Sequence, residues 1–173
     1  GDGFSDIKYL ESHDENRLVW SVDTIGSPAA QAIGGLTKAK LGAVLSMTSV
    51  GIPMLYNGQE IGSGEFRPAD PVIYKIDWAA GNAELRNAYK KLIQLRLSHP
   101  ALTTENIFFH WRDGTIDQTE ATITYWRGST SVPGNAQIVM AANFDHQDHT
   151  WTVPFPSPGY YARIDLDGGP TSW

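Results

Sequence analysis

Ile7-Lys8-Tyr9-Leu10-Glu11-Ser12-His13-Asp14-Glu15-Asn16-Arg17 is the stretch on which the fold turns. Ile7 to Leu10 reads as a short apolar strand, and it runs directly into a dense polar turn. Downstream, the spacing of Ile33, Leu36, Leu41, Val44, Leu45 and Met47 predicts a helix over 31–49. Gly51 ends it, because a residue without a Cβ takes a left-handed turn cheaply. Ile52 to Tyr56 is a second short apolar strand, with Pro53 near its start. Residues 21–30, which contain Gly26 and Pro28, read as a loop. Strand, helix, strand and helix in succession imply parallel strands covered by helices.

The second helix is the clearest element. It covers 82–98, with Asn82 as N-cap and Glu84 in the first turn. Leu85, Tyr89, Leu92, Ile93 and Arg96 mark one side, and His99-Pro100 stops the helix. Burying its four apolar side chains is worth roughly 6–12 kcal/mol, comparable to the whole stability of a domain. This helix therefore needs a surface to lie on. Two strands do not make a stable parallel sheet, so the first hundred residues either borrow strands or belong to a larger unit. On that reading residues 1–100 expose apolar surface, and the isolated chain is expected to self-associate.

The pattern changes near Pro100, from a period near 3.6 to a period of 2. Strands are expected near 106–111, 121–127, 136–143, 149–153 and 160–165, with turn signals at Pro133-Gly134-Asn135 and Pro158-Gly159. The chain thus divides into an α/β region over 1–100 and an all-β region, an antiparallel sandwich, over 101–173.

Composition narrows the function. The 173 residues carry 19 acidic and 13 basic side chains, a net charge of −6, and no basic run. That argues against nucleic acid, whose partners neutralise phosphates. No apolar run is long enough to span a membrane. The absence of Cys excludes disulfides, thiolate catalysis and Cys-ligated metals. His146 and His149 have a spacing faintly like a metal pair, although a solvated turn suits them better. Trp111, Trp126, Trp151 and Trp173 could stack on sugar rings in a binding module.

Chemistry concentrates where strands end, because open α/β sheets and barrels carry their ligands at the carboxyl ends. His13 and Asp14 follow the first strand, and Tyr56-Asn57-Gly58-Gln59-Glu60 follows the second. Taken alone, the first group also suits a solvated or capped polar loop, and the second a tight turn that needs its glycines.

Together these segments resemble the α-amylase family, glycoside hydrolase family 13. Tyr9 to Asp14 is similar to the end of that family's seventh barrel strand, and Gly51 to Gly62 to its eighth-strand segment. Ile76-Asp77-Trp78, then a helix ending Leu92 to Leu102, is similar to the exit from the barrel. The resemblance implies the C-terminal part of a (β/α)8 barrel, two strands and two helices, followed by a small antiparallel β-sandwich. It implies a parent retaining hydrolase acting on α-glucans. The alternatives are a branching enzyme or other transglycosylase of that family, or a non-catalytic carbohydrate-binding module.

The resemblance also assigns residues. Asp14 is implied as the third catalytic acid, hydrogen-bonding the 2- and 3-hydroxyls of the sugar as its ring flattens. His13 is implied as a donor to the same sugar, and Tyr9 as barrel packing rather than a substrate contact. Arg17 fits a His-Asp-x-x-Arg pattern on the substrate side, or else pairs with Glu15 on the surface. The nucleophile and general acid lie upstream of any residue present, as does the family's calcium site. This chain is therefore expected to carry no cofactor, to need the upstream barrel segment as a partner, and to be inactive alone.

Overall fold

The structure, a computed structural model, describes residues 5–66, 75–110, 122–128 and 137–167. Strand β1 (Ile7–Lys8) pairs in parallel with β2 (Ile52–Pro53), Ile7 opposite Ile52. The pairing is held by the Ile52 amide on the Asp6 carbonyl (2.9 Å) and the Met54 amide on the Lys8 carbonyl (2.8 Å). Between them run α1 (Leu18–Trp20), a π-helical turn over Ser21–Ile25, α2 (Pro28–Ile33) and α3 (Gly35–Thr48).

The expected loop over 21–30 and single helix over 31–49 are corrected here. Ser27 caps α2 by accepting from the Ala30 amide, with Pro28 at the first helical position, where its missing N–H costs nothing. Gly34 then breaks the helical path at φ +88°. The Asp23 carboxylate, twelve residues back, restarts α3 by accepting from the Gly35 amide at 2.6 Å.

Helix α3 buries small side chains, Ala39, Gly42, Ala43 and Ser46, with Met47. A Cβ on Gly42 would sit 2.8 Å from Leu10 Cδ1, so the missing methyl lets β1's exit press onto the helix. Helix α4 (Ala83–Ser98) starts as expected, the Asn82 side chain accepting from the Leu85 amide at 2.8 Å. Its buried stripe is Leu85, Ala88, Tyr89, Leu92 and Leu95, while Ile93 and Leu97 face outward. Leu85, Tyr89 and Leu92 pack against Ala39, Ala43 and Met47 of α3, and Leu166 lies on this cluster.

After a 3-10 turn over Pro100–Leu102 come β3 (Ile107–Phe109), β4 (Thr122–Arg127) and β5 (Ile138–Asn143), an antiparallel sheet in that order. Alternation in β4 and β5 sends Tyr125, Met140 and Ala142 inward, where Leu41, Val44 and Leu45 of α3 meet them.

The expected strands at 149–153 and 160–165 do not form, so the described part has one three-stranded sheet rather than a sandwich. Pro154, Pro156 and Pro158 crowd the connection between those segments and have no amide with which to extend a ladder from either one. Side chains hold the stretch instead. The Trp151 indole donates to Thr124 Oγ1 (2.9 Å), and Lys91 Nζ donates to the Asp165 carbonyl (3.1 Å).

Arg127 is fully buried beneath this sheet. Its Nε donates to the Asn106 carbonyl (2.7 Å), Nη1 to that of Thr48 (2.7 Å) and Nη2 to that of Thr104 (2.5 Å). Arg96 of α4 takes the neighbouring carbonyls of Met47 (2.8 Å), Ser49 (3.0 Å) and Gly51 (2.5 Å). Gly51 (φ +110°) lies beyond the helix end, which is Thr48, so the two arginines rather than a glycine finish α3.

Candidate functional site at the ends of the parallel strands

Because β1 and β2 are parallel, the loops that follow them leave from the same end. The first loop is built around Glu11, which is buried. Its Oε1 accepts from the Leu18 amide (2.9 Å) and its Oε2 from Arg17 Nη1 (2.8 Å), which closes residues 11–18 into a compact turn. Within it the Ser12 hydroxyl accepts from the Asp14 amide (3.1 Å) and donates to Glu15. His13 and Asp14 are left at the tip. Their side chains are 80% and 64% exposed, with Nε2 and Oδ2 3.4 Å apart.

Arg17 does not make the surface pair with Glu15. Glu15 is taken by Ser12, and Arg17 folds under the loop. Besides Glu11, its Nη2 donates to the Asn57 carbonyl (2.6 Å), its Nε faces Glu65 Oε2 (3.4 Å), and its guanidinium lies 4.5 Å from the Tyr56 ring centre. The expected surface pair with Glu15 is thus corrected to a buried pair with Glu11, because a guanidinium fork can satisfy a carboxylate and a carbonyl at once.

The second loop is held from below. Gln59 Oε1 accepts from the Tyr56 amide (3.3 Å), and its Nε2 donates to the Tyr89 hydroxyl on α4 (2.6 Å). Glu60 accepts from the Gly58 amide (3.1 Å). Gly58 itself sits at φ +89°, and a Cβ there would meet Ser63 Oγ at 2.8 Å and Arg17 Nη2 at 3.3 Å. Burial pushes the Tyr89 hydroxyl up to about 12. Burial also raises the Glu11 carboxyl, against the Leu18 amide and Arg17, which favour its charged form.

The sequence reading named His13, Asp14 and Arg17 and missed the residues that seat them. Glu11, Gln59, Glu65 and Tyr89 are legible only once the two loops are side by side, because each acts on a residue that is remote in the chain or hidden by helix periodicity. Tyr9, expected as packing, is about half exposed. His146 and His149 both bind one carboxylate, Asp145, at 2.7 Å each. Trp126 stacks on Phe108 at 4.0 Å, whereas Trp111 and Trp173 lie outside the described residues. An open cleft of about 500 Å³ lies elsewhere, between Val19, Asp23, Leu36 and the start of α4, and neither His13 nor Asp14 lines it.

No protein-family model matches the chain. Alpha-amylase 2 of Dictyoglomus thermophilum is 29% identical over 112 residues, covering 59% of this chain and 18% of the relative. A cyclomaltodextrinase from a Bacillus species is 29% identical over 142 residues, covering 82% of this chain and 22% of the relative. Among solved structures, a cyclomaltodextrinase superposes with a TM-score of 0.59 at 25% identity, covering 81% of this chain and 21% of its own. The chain is similar to members of the α-amylase family, glycoside hydrolase family 13. An acarbose-soaked debranching enzyme of Nostoc punctiforme superposes with a TM-score of 0.54 at 23% identity, over 80% of this chain and 24% of its own, and supports the same fold. The α-amylase-type match spans about a fifth of the length of the curated relatives.

Proposed function

We propose that this chain is part of an α-glucan-acting glycoside hydrolase, in which β1, β2, α3 and α4 are strand–helix units of a (β/α)8 barrel. Residues 1–100 belong to that barrel and 101–173 to the β domain. The observation that carries the reading is that the turn bearing His13 and Asp14 follows the carboxyl end of β1 and is tied, through Arg17, to the Tyr56–Gly58 loop from the end of β2. The relatives' names, an amylase, a cyclomaltodextrinase and a debranching enzyme, point to α-glucans as the substrate class.

In this reading Asp14 accepts hydrogen bonds from two adjacent sugar hydroxyls. Those bonds tighten as the ring flattens toward an oxocarbenium ion, so they lower the barrier rather than merely binding substrate. His13 donates to the same sugar, and its closeness to Asp14 lets the two act on one ring. The guanidinium of Arg17, already given to Glu11 and Asn57, holds the two loops together. A retaining hydrolase also needs a nucleophilic carboxylate and a proton donor about 5 Å apart, and the resemblance assigns neither to this chain. The chain alone therefore does not hydrolyse glucan. Its partner is an upstream barrel segment that would cover the half-exposed faces of Ile7 and Ile52.

The test combines two measurements on the full chain. Reducing-sugar release from soluble starch should not exceed that of Asp14→Asn. Titration with maltotetraose should shift the NMR signals of His13 and Asp14, and Asp14→Asn should abolish those shifts. Starch hydrolysis that depends on Asp14 would place a complete site in these residues and overturn the division of labour. Sugar shifts that survive Asp14→Asn would overturn the assignment of Asp14.

A further inference from the structure

The carbonyls at the end of α3 are where the β sheet meets the connection into β2. Helix α3 stops at Thr48, and four residues later β2 begins. A helix end leaves its last carbonyls without partners, and they carry partial negative charge. Here Arg96 and Arg127 supply the partners: Met47, Ser49 and Gly51 bind Arg96, and Thr48 binds Arg127. No carboxylate among the described residues ion-pairs with either arginine. The Tyr125 hydroxyl adds a 2.7 Å bond to Thr48 Oγ1. Arg96 thus gives three bonds to backbone oxygens at the connection that leads into β2, and Arg127 gives one there and two to the carbonyls of Thr104 and Asn106 before β3.

From Gly51 the chain has little freedom before the site. Ile52 and Met54 pair with β1 at once, and three residues after Met54 the Asn57 carbonyl is held by Arg17. A shift of one residue in β2 would turn its side chains to the opposite face and move Tyr56 and Asn57 away from Arg17. We infer that Arg96 and Arg127 are positioning residues for the candidate site: by gripping the end of α3 they set where β2 starts, and so where the Tyr56–Gly58 loop meets Arg17 of the turn that carries His13 and Asp14. The β sheet is then a working part of the barrel end rather than an appendage. The inference rests on the reading of His13 and Asp14 given above.

Backbone amide exchange on the full chain tests it, with Arg96→Gln as the first variant, because Arg96 is less buried than Arg127. Losing carbonyl bonds at this end should speed exchange of the Ile52 and Met54 amides by about tenfold or more, while Leu92 and Leu95 in α4 and the β4–β5 ladder keep their protection. The same variant should weaken maltotetraose binding at His13 and Asp14. Arg127→Lys, which keeps the charge but not the fork, should show the same local effect, and Arg96→Lys should recover part of the protection. Ile52 and Met54 exchanging as in the wild type, or only in step with Leu92 and Leu95, would overturn the inference. If the wild type shows no sugar shifts at all, the functional reading fails, and the exchange data still decide whether the arginines set β2.

Discussion

Arg17 and Glu11, six positions apart, form a 2.8 Å ion pair that is sealed from solvent on both sides. Glu11 also takes the Leu18 amide, so removing its carboxylate strands a cation and a backbone donor together. Glu11→Ala is expected to cost about 3 kcal/mol, toward the lower end for a broken buried pair because Glu65 remains near the same guanidinium. Glu11→Gln, which keeps an acceptor, should cost less. Urea unfolding followed by tryptophan fluorescence measures both, and equal losses would mean that the charge contributes nothing.

Tyr89→Phe leaves the buried Gln59 amide without its acceptor, and should cost about 1–3 kcal/mol. The pH dependence has a definite sign. Burial raises the Tyr89 hydroxyl from 10.0 to about 12, so the wild type loses stability as pH climbs between those values, and Tyr89→Phe lacks that part of the loss. Melting curves taken from pH 9 upward should therefore converge. Curves that stay parallel would contradict the burial of the hydroxyl.

Gly58→Ala imposes a left-handed backbone on a residue with a Cβ, against Ser63 and Arg17. A loss of about 1–3 kcal/mol is expected, together with perturbed signals at Arg17 and Asn57. Gly64→Ala, at an ordinary φ and with the added Cβ in normal contact 3.6 Å from Val19, is the comparison for a glycine that needs neither the left-handed backbone nor the missing Cβ. If Gly58→Ala were as mild as a typical surface change, the loop would have room that the geometry denies.

Asp145→Asn should weaken the turn after β5, where the carboxylate accepts from the His149 ring and the His146 amide. Those bonds lower the Asp145 pKa below its ordinary 3.8, so the stability they give is present above that value and is lost as pH falls through the depressed one. The wild type should melt higher than Asp145→Asn at pH 7, and the gap should close in strong acid. A gap that persists at pH 2 would assign the effect to packing rather than charge.

The elements most legible in the sequence were those whose signals are local. Asn82 before α4, His99-Pro100 after it and the alternation of β4 each act within a few residues, and each appears where expected. The buried face of α4 was harder to place: Ala88 and Leu95 are inside and Ile93 outside, because the partner helix presents small residues that draw the stripe round. Asp23 capping α3 from twelve residues away has no sequence signature at all. The site divides in the same way. His13 and Asp14 announce themselves as a polar pair after a strand. Their supports do not, since Glu11 reads as one more polar residue of the turn and Tyr89 as one more apolar position on a helix.

The grip of Arg127 on Thr48 joins segments 79 residues apart, and Tyr125 reaches the same residue across 77. Closing so long a loop costs chain entropy before any bond repays it. The helices α3 and α4 can pair early in folding, but the end of α3 is completed only when β4 arrives. During synthesis the start of β2 therefore stays unsettled until β4 has left the ribosome and closed on the end of α3.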